Sequence, residues 1–276
     1  SSTIVAVGGG VIGDVVGFAA STFLRGVQLV HVPTTLLAQV DSAIGGKVGV
    51  NHPLGKNLLG AFHQPIVVVA DPKLLTTLPR REFRSGLYEV VKYGIIASRG
   101  LFDRINTSLT EIFAHEPSVL IPIIGEACQI KATIVSKDER ESGVRRTLNF
   151  GHTVGHALEA LEGYKLLHGE AVAAGMRIEA CMGESLGITK LGTTKQIEAL
   201  LEQCLLGGLW EVDRRSAEVR EAMLLDKKSL KNRVRCVFLS QIGTVATDTE
   251  GHYTFPLDRE ELDDLLSTAL TENPKD

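Results

Sequence analysis

IVAVGGGVIGDVVGFAAS, residues 4–21, decides the fold. A β-branched run, IVAV (4–7), ends in three consecutive glycines and passes into a segment, 13–24, whose apolar residues recur at helical spacing. Strand, glycine turn and helix make the first half of a βαβ unit, which implies a parallel sheet with crossover helices. Gly8, Gly10 and Gly13 satisfy G-x-G-x-x-G at that turn. Glycines there let the backbone approach a pyrophosphate, and the free N–H groups of the helix start favour its charge. A purely structural glycine turn satisfies the same pattern; its place between strand and helix is what favours a dinucleotide or phosphate. The acidic residue that commonly meets the ribose about 20 residues later is missing, since Gln28 to Pro33 contains no carboxylate.

Outward from this turn the alternation continues through VQLVHV (27–32), a helix over 35–44 and PIVVVADP (65–72). From 79 onward helical periodicity dominates, over 79–97, 99–113, 117–136, 147–162, 168–186, 193–206, 215–225 and 259–270, with one strand expected at VRCVFLS (234–240). Pro79 reads as the first residue of a helix, which places a domain boundary between 78 and 79. The expected architecture is an α/β, Rossmann-like nucleotide-binding domain over 1–78 and a mainly helical domain over 79–276. The chain enters with SSTIVAVGGG, as though already inside a sheet, so sequence upstream is expected.

The 276 residues are 44% hydrophobic and 22% charged, with a net charge of −4, which fits an ordinary globular protein and argues against nucleic acid as a partner. Cys128, Cys181, Cys204 and Cys236 stand singly among apolar residues, so neither a metal knuckle nor a disulfide framework is expected, and a reducing cytoplasm fits. No membrane association is expected, because no run of about 18 uninterrupted apolar residues occurs.

Three further stretches carry chemistry. DSAIGGKVGVNHPLGKN (41–57) reads as a ligand-covering loop whose Lys47 and Lys56 converge on an anion, with Asp41 to accept from a hydroxyl; ordinary surface lysines are the plain alternative. LYEVVKYGII (87–96) sets Glu89 and Lys92 three apart on a helix with apolar residues around most of its circumference. A surface ion pair is the plain alternative, but at least one of those charges is expected to be partly buried, and a buried carboxylate wants a cation, a metal being one candidate. NFGHTVGHALEALEGYKLLHGEAVAAGM (149–176) holds three of the eight histidines. His152 and His156, four apart, share a helix face and form an H-x-x-x-H pair able to chelate a metal, while His168 opens the next helix. Isolated histidines are more often structural, and the spacing leaves open which of the three hold a metal. Glu89 is the best carboxylate donor in sight. Lys131, Arg145 and Asn149 lead into the histidine helix, and DKK stands at 226–228.

Together these motifs resemble the 3-dehydroquinate synthase family. The matching blocks are GGGVIGDVVGFAASTFLRG, VPTTLLAQVDSAIGGKVGVN, GKNLLGAFHQP, LPRREFRSGLYEVVKYG, LNFGHTVGHALE and HGEAV, with DKK and VRCVFLSQIG further on. The resemblance implies an NAD-dependent cyclase that needs zinc or cobalt and converts 3-deoxy-D-arabino-heptulosonate 7-phosphate to 3-dehydroquinate and phosphate. It implies Glu89, His152 and His168 as metal ligands and leaves His156 to the departing phosphate. Lys47, Lys92 and Asn149 join His156 as catalytic residues, and Asp41, Asn57, Lys131, Arg145 and Lys228 complete the substrate contacts, with Lys227 the alternative to Lys228. Arg25 would reach a neighbouring subunit's site in a homodimer. Around NAD it implies Gly9, Gly10, Val11, Ile12, Gly13, Asp14, Thr34, Thr35, Lys47, Lys56, Leu74, Leu75, Thr76, Thr77 and Glu82. Family members carry a longer segment ahead of IVAVGGG, where the ribose-binding acid is expected.

Three other readings compete. Another sugar-phosphate cyclase, such as a 2-epi-5-epi-valiolone or 2-deoxy-scyllo-inosose synthase, would share fold and cofactors; Lys131, Arg145, Asn149 and His156 favour a carboxylate-bearing substrate instead. A metal-dependent alcohol dehydrogenase of related fold would lack this dense anion-binding set. The third is a catalytically inactive fragment.

Overall fold

The computed structural model describes residues 2–52, 55–163, 165–204, 216–225 and 233–271, with backbone alone at 55–57 and 271. The chain divides into two compact units, Ser1–Val90 with Thr110–Glu139, and Val91–Leu109 with Arg140–Asp276.

The first unit is built on the βαβ motif. β1 (Thr3–Gly8) leads through the glycine turn to α1 (Gly10–Thr22), and β2 (Gln28–Pro33) returns parallel to β1. Pairing runs from Thr3 with Gln28 to Gly8 with Pro33, so the two strands end level. α1 closes over them through Ala20, which packs with Ala6 and Leu29. The other face of β1 keeps Val5 and Val7 more than half exposed.

The loop expected over 41–57 is corrected. After a short π-helical turn, Ala38–Ser42, the chain forms an antiparallel hairpin of β3 (Lys47–His52) and β4 (Gly55–Phe62). Alternation in KVGVNH suits a strand, and Gly49 faces Gly60 across the ladder, where a Cβ on Gly60 would lie 2.4 Å from the Val48 carbonyl oxygen. The apolar run at 65–69 contributes only the two-residue β5 (Val67–Val68), parallel to β2, so the sheet order is β1-β2-β5. Asp71 then caps a 3₁₀ turn, Pro72–Thr77, by accepting from the Lys73 N–H at 2.9 Å.

α2 (Arg80–Ala97) follows Pro79 as one continuous helix. The apolar run 99–113 is two helices, α3 (Arg99–Thr107), capped by the Ser98 hydroxyl, and α4 (Leu109–Phe113), with the break at Ser108. α5 (Pro117–Lys137) is long and apolar enough, by composition, to cross a membrane. Its buried positions, Leu120, Ile123, Ile124, Ala127, Lys131 and Val135, follow the stripe of a helix packed on one side, and one of them is a lysine.

In the second unit, the single helix expected over 147–162 is interrupted. A 3₁₀ turn, Val144–Asn149, is followed by Gly151 at φ +79° and then α6 (His152–Leu161). A side chain at Gly151 would meet Met176 Cγ at 2.5 Å and the Val172 carbonyl oxygen at 2.8 Å, in a left-handed backbone conformation that already favours glycine. α7 (His168–Ser185) is buried almost all round, as a central helix must be, with α6, α8 (Thr193–Gln203) and α10 (Arg259–Thr271) packed against it. α9 (Ser216–Leu225) lies on α6. The strand expected at 234–240 is also broken: β6 (Val234–Cys236) pairs with β9 (Phe255–Leu257), and β7 (Leu239–Gln241) pairs with β8 (Thr244–Val245). Val154, Leu158, Ile178, Met182, Phe238 and Leu266 are among the side chains that form the core.

None of the four cysteines is in a disulfide. Burial pushes the thiol of Cys128 up to about 11 and that of Cys204 up to about 12. Burial also raises the Cys236 thiol well above its ordinary range, with the neighbouring Glu179 charge adding to the effect.

Candidate active site

Within the first unit, residues expected around a nucleotide gather at the carboxyl ends of the parallel strands, the usual ligand end of an open α/β sheet. Gly9, Gly10, Val11, Ile12, Gly13 and Asp14 follow β1, Thr34 and Thr35 follow β2, and Leu74, Leu75, Thr76 and Thr77 lie in the 3₁₀ turn after β5. Backbone bonds lock this end: the Thr34 N–H donates to the Gly8 carbonyl at 3.0 Å. The Thr35 hydroxyl accepts from the Ala38 N–H at 3.1 Å. Gln39, fully buried, donates from Nε2 to the carbonyls of Pro33 and Asp71 at 3.2 and 2.9 Å, tying the end of β2 to the turn after β5. Sequence reasoning missed that role, for which a glutamine within an apolar segment is the only signal. Glu82 lies in the first turn of α2.

Two residues expected around the substrate meet in the same unit. Lys131 Nζ donates to the Asp41 carboxylate and to the Asp41 carbonyl, each at 2.6 Å, so the two residues expected to touch substrate also fix one another. Asp14 responds to this pair: burial and the Asp41 charge raise its carboxyl to about 6, with Lys131 pulling the other way. Lys47 opens β3 and is exposed, and Arg25 sits exposed in the turn after α1 at φ +66°. The side chains of Lys56 and Asn57, and both Lys227 and Lys228, lie outside the described residues.

In the second unit the three imidazoles converge. Ring centroids of His152 and His168 are 5.2 Å apart, those of His152 and His156 5.5 Å, and those of His156 and His168 6.1 Å. The i,i+4 step along α6 sets His152 and His156 on one helix face with their rings edge to face, and the turn into α7 brings His168 to them. His152 Nδ1 lies 3.2 Å from the Phe150 carbonyl oxygen. A carbonyl only accepts, so Nδ1 carries the proton and Nε2 keeps its lone pair. Burial, then the charges of Lys92, His168 and His156, holds this imidazole well below its ordinary titration range, in the neutral form that binds metals. Lys92, on α2, is itself fully buried.

Glu159 was missed by sequence reasoning. It stands one turn beyond His156 on α6, buried, with Oε1 3.6 Å from His168 Nδ1. His156, Glu159 and His168 each offer a ligand atom, and these atoms lie within 4.8 Å of one another. Its signal was the i,i+3 spacing in HALE. Arg145 is buried in the 3₁₀ turn before α6, and the Asn149 amide donates to Glu141, a pairing with no mark in the sequence. Glu89, on α2 one turn before Lys92, is a carboxylate with no exposed surface.

The 3-dehydroquinate synthase N-terminal family matches residues 1–85, and the 3-dehydroquinate synthase C-terminal family matches 86–229. The chain belongs to the 3-dehydroquinate synthase family. Curated relatives of that name include one from Nostoc sp., 50% identical over 253 residues, which are 91% of this chain and 70% of the relative. Another, from Geobacter metallireducens, is 52% identical over 244 residues, 88% of this chain and 67% of the relative. Among solved structures, a 2-deoxy-scyllo-inosose synthase in complex with carbaglucose-6-phosphate, NAD+ and Co2+ is similar with a TM-score of 0.85 and 28% identity, over 96% of this chain and 73% of that one. A 2-epi-5-epi-valiolone synthase from Streptomyces hygroscopicus subsp. jinggangensis, with NAD+ and Zn2+ bound, has a TM-score of 0.86 and 27% identity, over 99% of this chain and 74% of that one. These neighbours share the dehydroquinate synthase fold, which bears out the expected class of an α/β part followed by a mainly helical one.

Proposed function

We propose that the chain acts as a 3-dehydroquinate synthase, a carbon–oxygen lyase that converts 3-deoxy-D-arabino-heptulosonate 7-phosphate to 3-dehydroquinate and phosphate with NAD and a divalent zinc or cobalt ion. Residues 1–78 carry the nucleotide, and 79–276 carry the metal and substrate. The enzyme works in the cytoplasm as a homodimer.

The observation that carries this reading is His152, buried and held neutral with Nδ1 turned to the Phe150 carbonyl, its ring centroid 5.2 Å from that of His168 and near the buried Lys92. His152, His168 and Glu89 would hold the metal, two imidazoles and a carboxylate being the kind of donor set that suits zinc or cobalt. The donor chemistry fits: Glu89 is a buried carboxylate one helical turn from Lys92, and a buried carboxylate needs a cation or hydrogen-bond donors to offset its lost hydration. When bound, NAD takes and returns one hydride while the metal polarises the hydroxyl being oxidised, so the reaction has no net redox.

The chain's own side chains do the rest. His156 hydrogen-bonds the departing phosphate and eases its elimination. Lys92, Lys131 and Arg145 meet substrate phosphate and carboxylate, and burial strengthens their attraction. Asp41, held by Lys131, accepts from a substrate hydroxyl. Positioning these groups around one substrate supplies much of the rate, because ring opening and aldol closure are chemistry of the substrate itself.

The nearby set His156, Glu159 and His168 supports a second placement of the same metal. Zinc retained in His156→Ala favours the first placement; zinc lost there favours the second. For the function as a whole, protein incubated with the heptulosonate phosphate, NAD and zinc is expected to release phosphate without accumulating NADH. Release only from a carboxylate-free heptulose phosphate would move the chain to the other cyclases, and accumulation of NADH would make it a dehydrogenase.

A further inference from the structure

Glu179, in the middle of α7, is a carboxylate with no exposed surface. Its oxygens accept from three backbone donors: Gly151 N–H on Oε2 at 2.8 Å, and Thr153 and Val154 N–H on Oε1 at 3.1 and 3.2 Å. These amides begin α6. A helix leaves its first N–H groups without intrahelical partners, and a side-chain oxygen at the N-cap usually meets one of them. Here the N-cap is Gly151, which has no side chain to offer. The cap comes instead from the next helix, as a full negative charge at the positive end of the α6 dipole.

The residue inside this clamp is His152. It is the first residue of α6, flanked on both sides by amides that Glu179 holds, and its Nδ1 is turned to the Phe150 carbonyl. The backbone on either side of His152 is thus fixed by one carboxylate, and the orientation of its ring by one carbonyl. We propose that Glu179 is a positioning residue for the metal: it holds the start of α6 so that His152 Nε2 points at the ion. This rests on the reading of His152 as a ligand. Outer groups that fix a ligand are worth about 10–100-fold in metal affinity in other sites.

Glu198 provides the control. It is a part-buried carboxylate on α8, bonded at 2.7 Å to Arg177, which sits two residues from Glu179 on α7; the bond holds α8 to α7. Removing either carboxylate should lower Tm, whereas only Glu179 should matter to the metal. The test titrates the metal-stripped full chain with Co2+, reading the visible d–d absorption as well as affinity. In Glu179→Gln, which keeps the volume but replaces one acceptor with an amide nitrogen, Co2+ is expected to bind about 10–100-fold more weakly, with a changed spectrum. In Glu198→Gln, Tm falls while cobalt affinity and spectrum stay as in the wild type. Glu179→Asp, which keeps the charge, takes the place of the glutamine variant if that does not fold, with the same readouts expected. Unchanged affinity and spectrum in a folded Glu179 variant of lowered Tm would reduce Glu179 to a structural cap and overturn the proposal. A wild-type cobalt spectrum that survives His152→Ala would overturn it differently, by removing His152 from the ligands.

Discussion

The glycines after β1 and the glycines between α6 and α7 are used in opposite ways. A Cβ added at Gly9, Gly10 or Gly13 would meet only side-chain atoms, Thr35 Cγ2 at 3.1 Å, Ser42 Oγ at 3.1 Å and His31 Cε1 at 3.4 Å respectively. A Cβ at Gly175 would lie 1.9 Å from the Gly151 carbonyl oxygen, and one at Gly155 would lie 3.0 Å from the Ala171 carbonyl oxygen. The protein's own packing demands glycine in the second set and nearly tolerates a methyl group in the first. Bare backbone beside β1 is not demanded by the packing and is what the proposed nucleotide site would use. Bare backbone between α6 and α7 is kept for another helix, and that close crossing carries the three histidines.

The largest effects should come from the histidines that the crossing supports. His168→Ala is expected to lose stoichiometric zinc and all phosphate release. His156→Ala should keep its zinc while turnover falls about 10²–10⁴-fold, the range of a lost general acid–base group. Metal analysis and phosphate assay on the same preparations check both, and loss of zinc in the His156 variant with retention in the His168 variant would reverse the assignment.

The glycine contrast itself can be broken by two alanines. Gly175→Ala overpacks backbone against backbone and should destabilise the chain by about 3 kcal/mol, measured by urea unfolding. Gly9→Ala needs only a small shift of Thr35, so stability should change by less than about 1 kcal/mol. NAD affinity, read by calorimetry, should fall about tenfold in that variant, about 1.4 kcal/mol. Equal losses of stability in the two variants would erase the distinction.

The smallest effect is a pH slope at the end of the glycine turn. The Asp14 carboxyl stands at about 6, above its ordinary 3.8, so between these values the folded chain holds a proton that the unfolded chain releases. Its contribution is full below about 4 and is lost as pH rises through about 6. After discounting for partial exposure and screening, the change is about 1 kcal/mol. Asp14→Asn should flatten stability across that window, and an unchanged slope would mean that other groups set it.

Much of this was legible in the sequence, for reasons that differ by region. The βαβ start could be read because strand, turn and helix are local patterns, and the family blocks carried the reading to the histidines. The hairpin over 47–62 was hidden because its glycines resemble a loop, while their use is to let two strands approach at Gly49 and Gly60. The break at Gly151 was hidden because the apolar period runs through it; only the neighbouring α7 explains the left-handed residue. Glu179 left no trace near α6, since the amides it caps lie 25 to 28 residues away. Sequence shows which side chains are suited to the chemistry, but not which distant ones hold them still.

The buried thiols give the two units separate clocks. Cys181, Cys204 and Cys236 belong to the second unit and are buried, and Cys236 is kept from ionising both by its surroundings and by Glu179. Cys128, partly exposed, belongs to the first. An alkylating reagent reacts with an accessible thiolate, so Cys236 is modified only when its unit opens. Its labelling rate therefore counts openings of the helical unit one at a time, and zinc, if held by that unit, should slow the count.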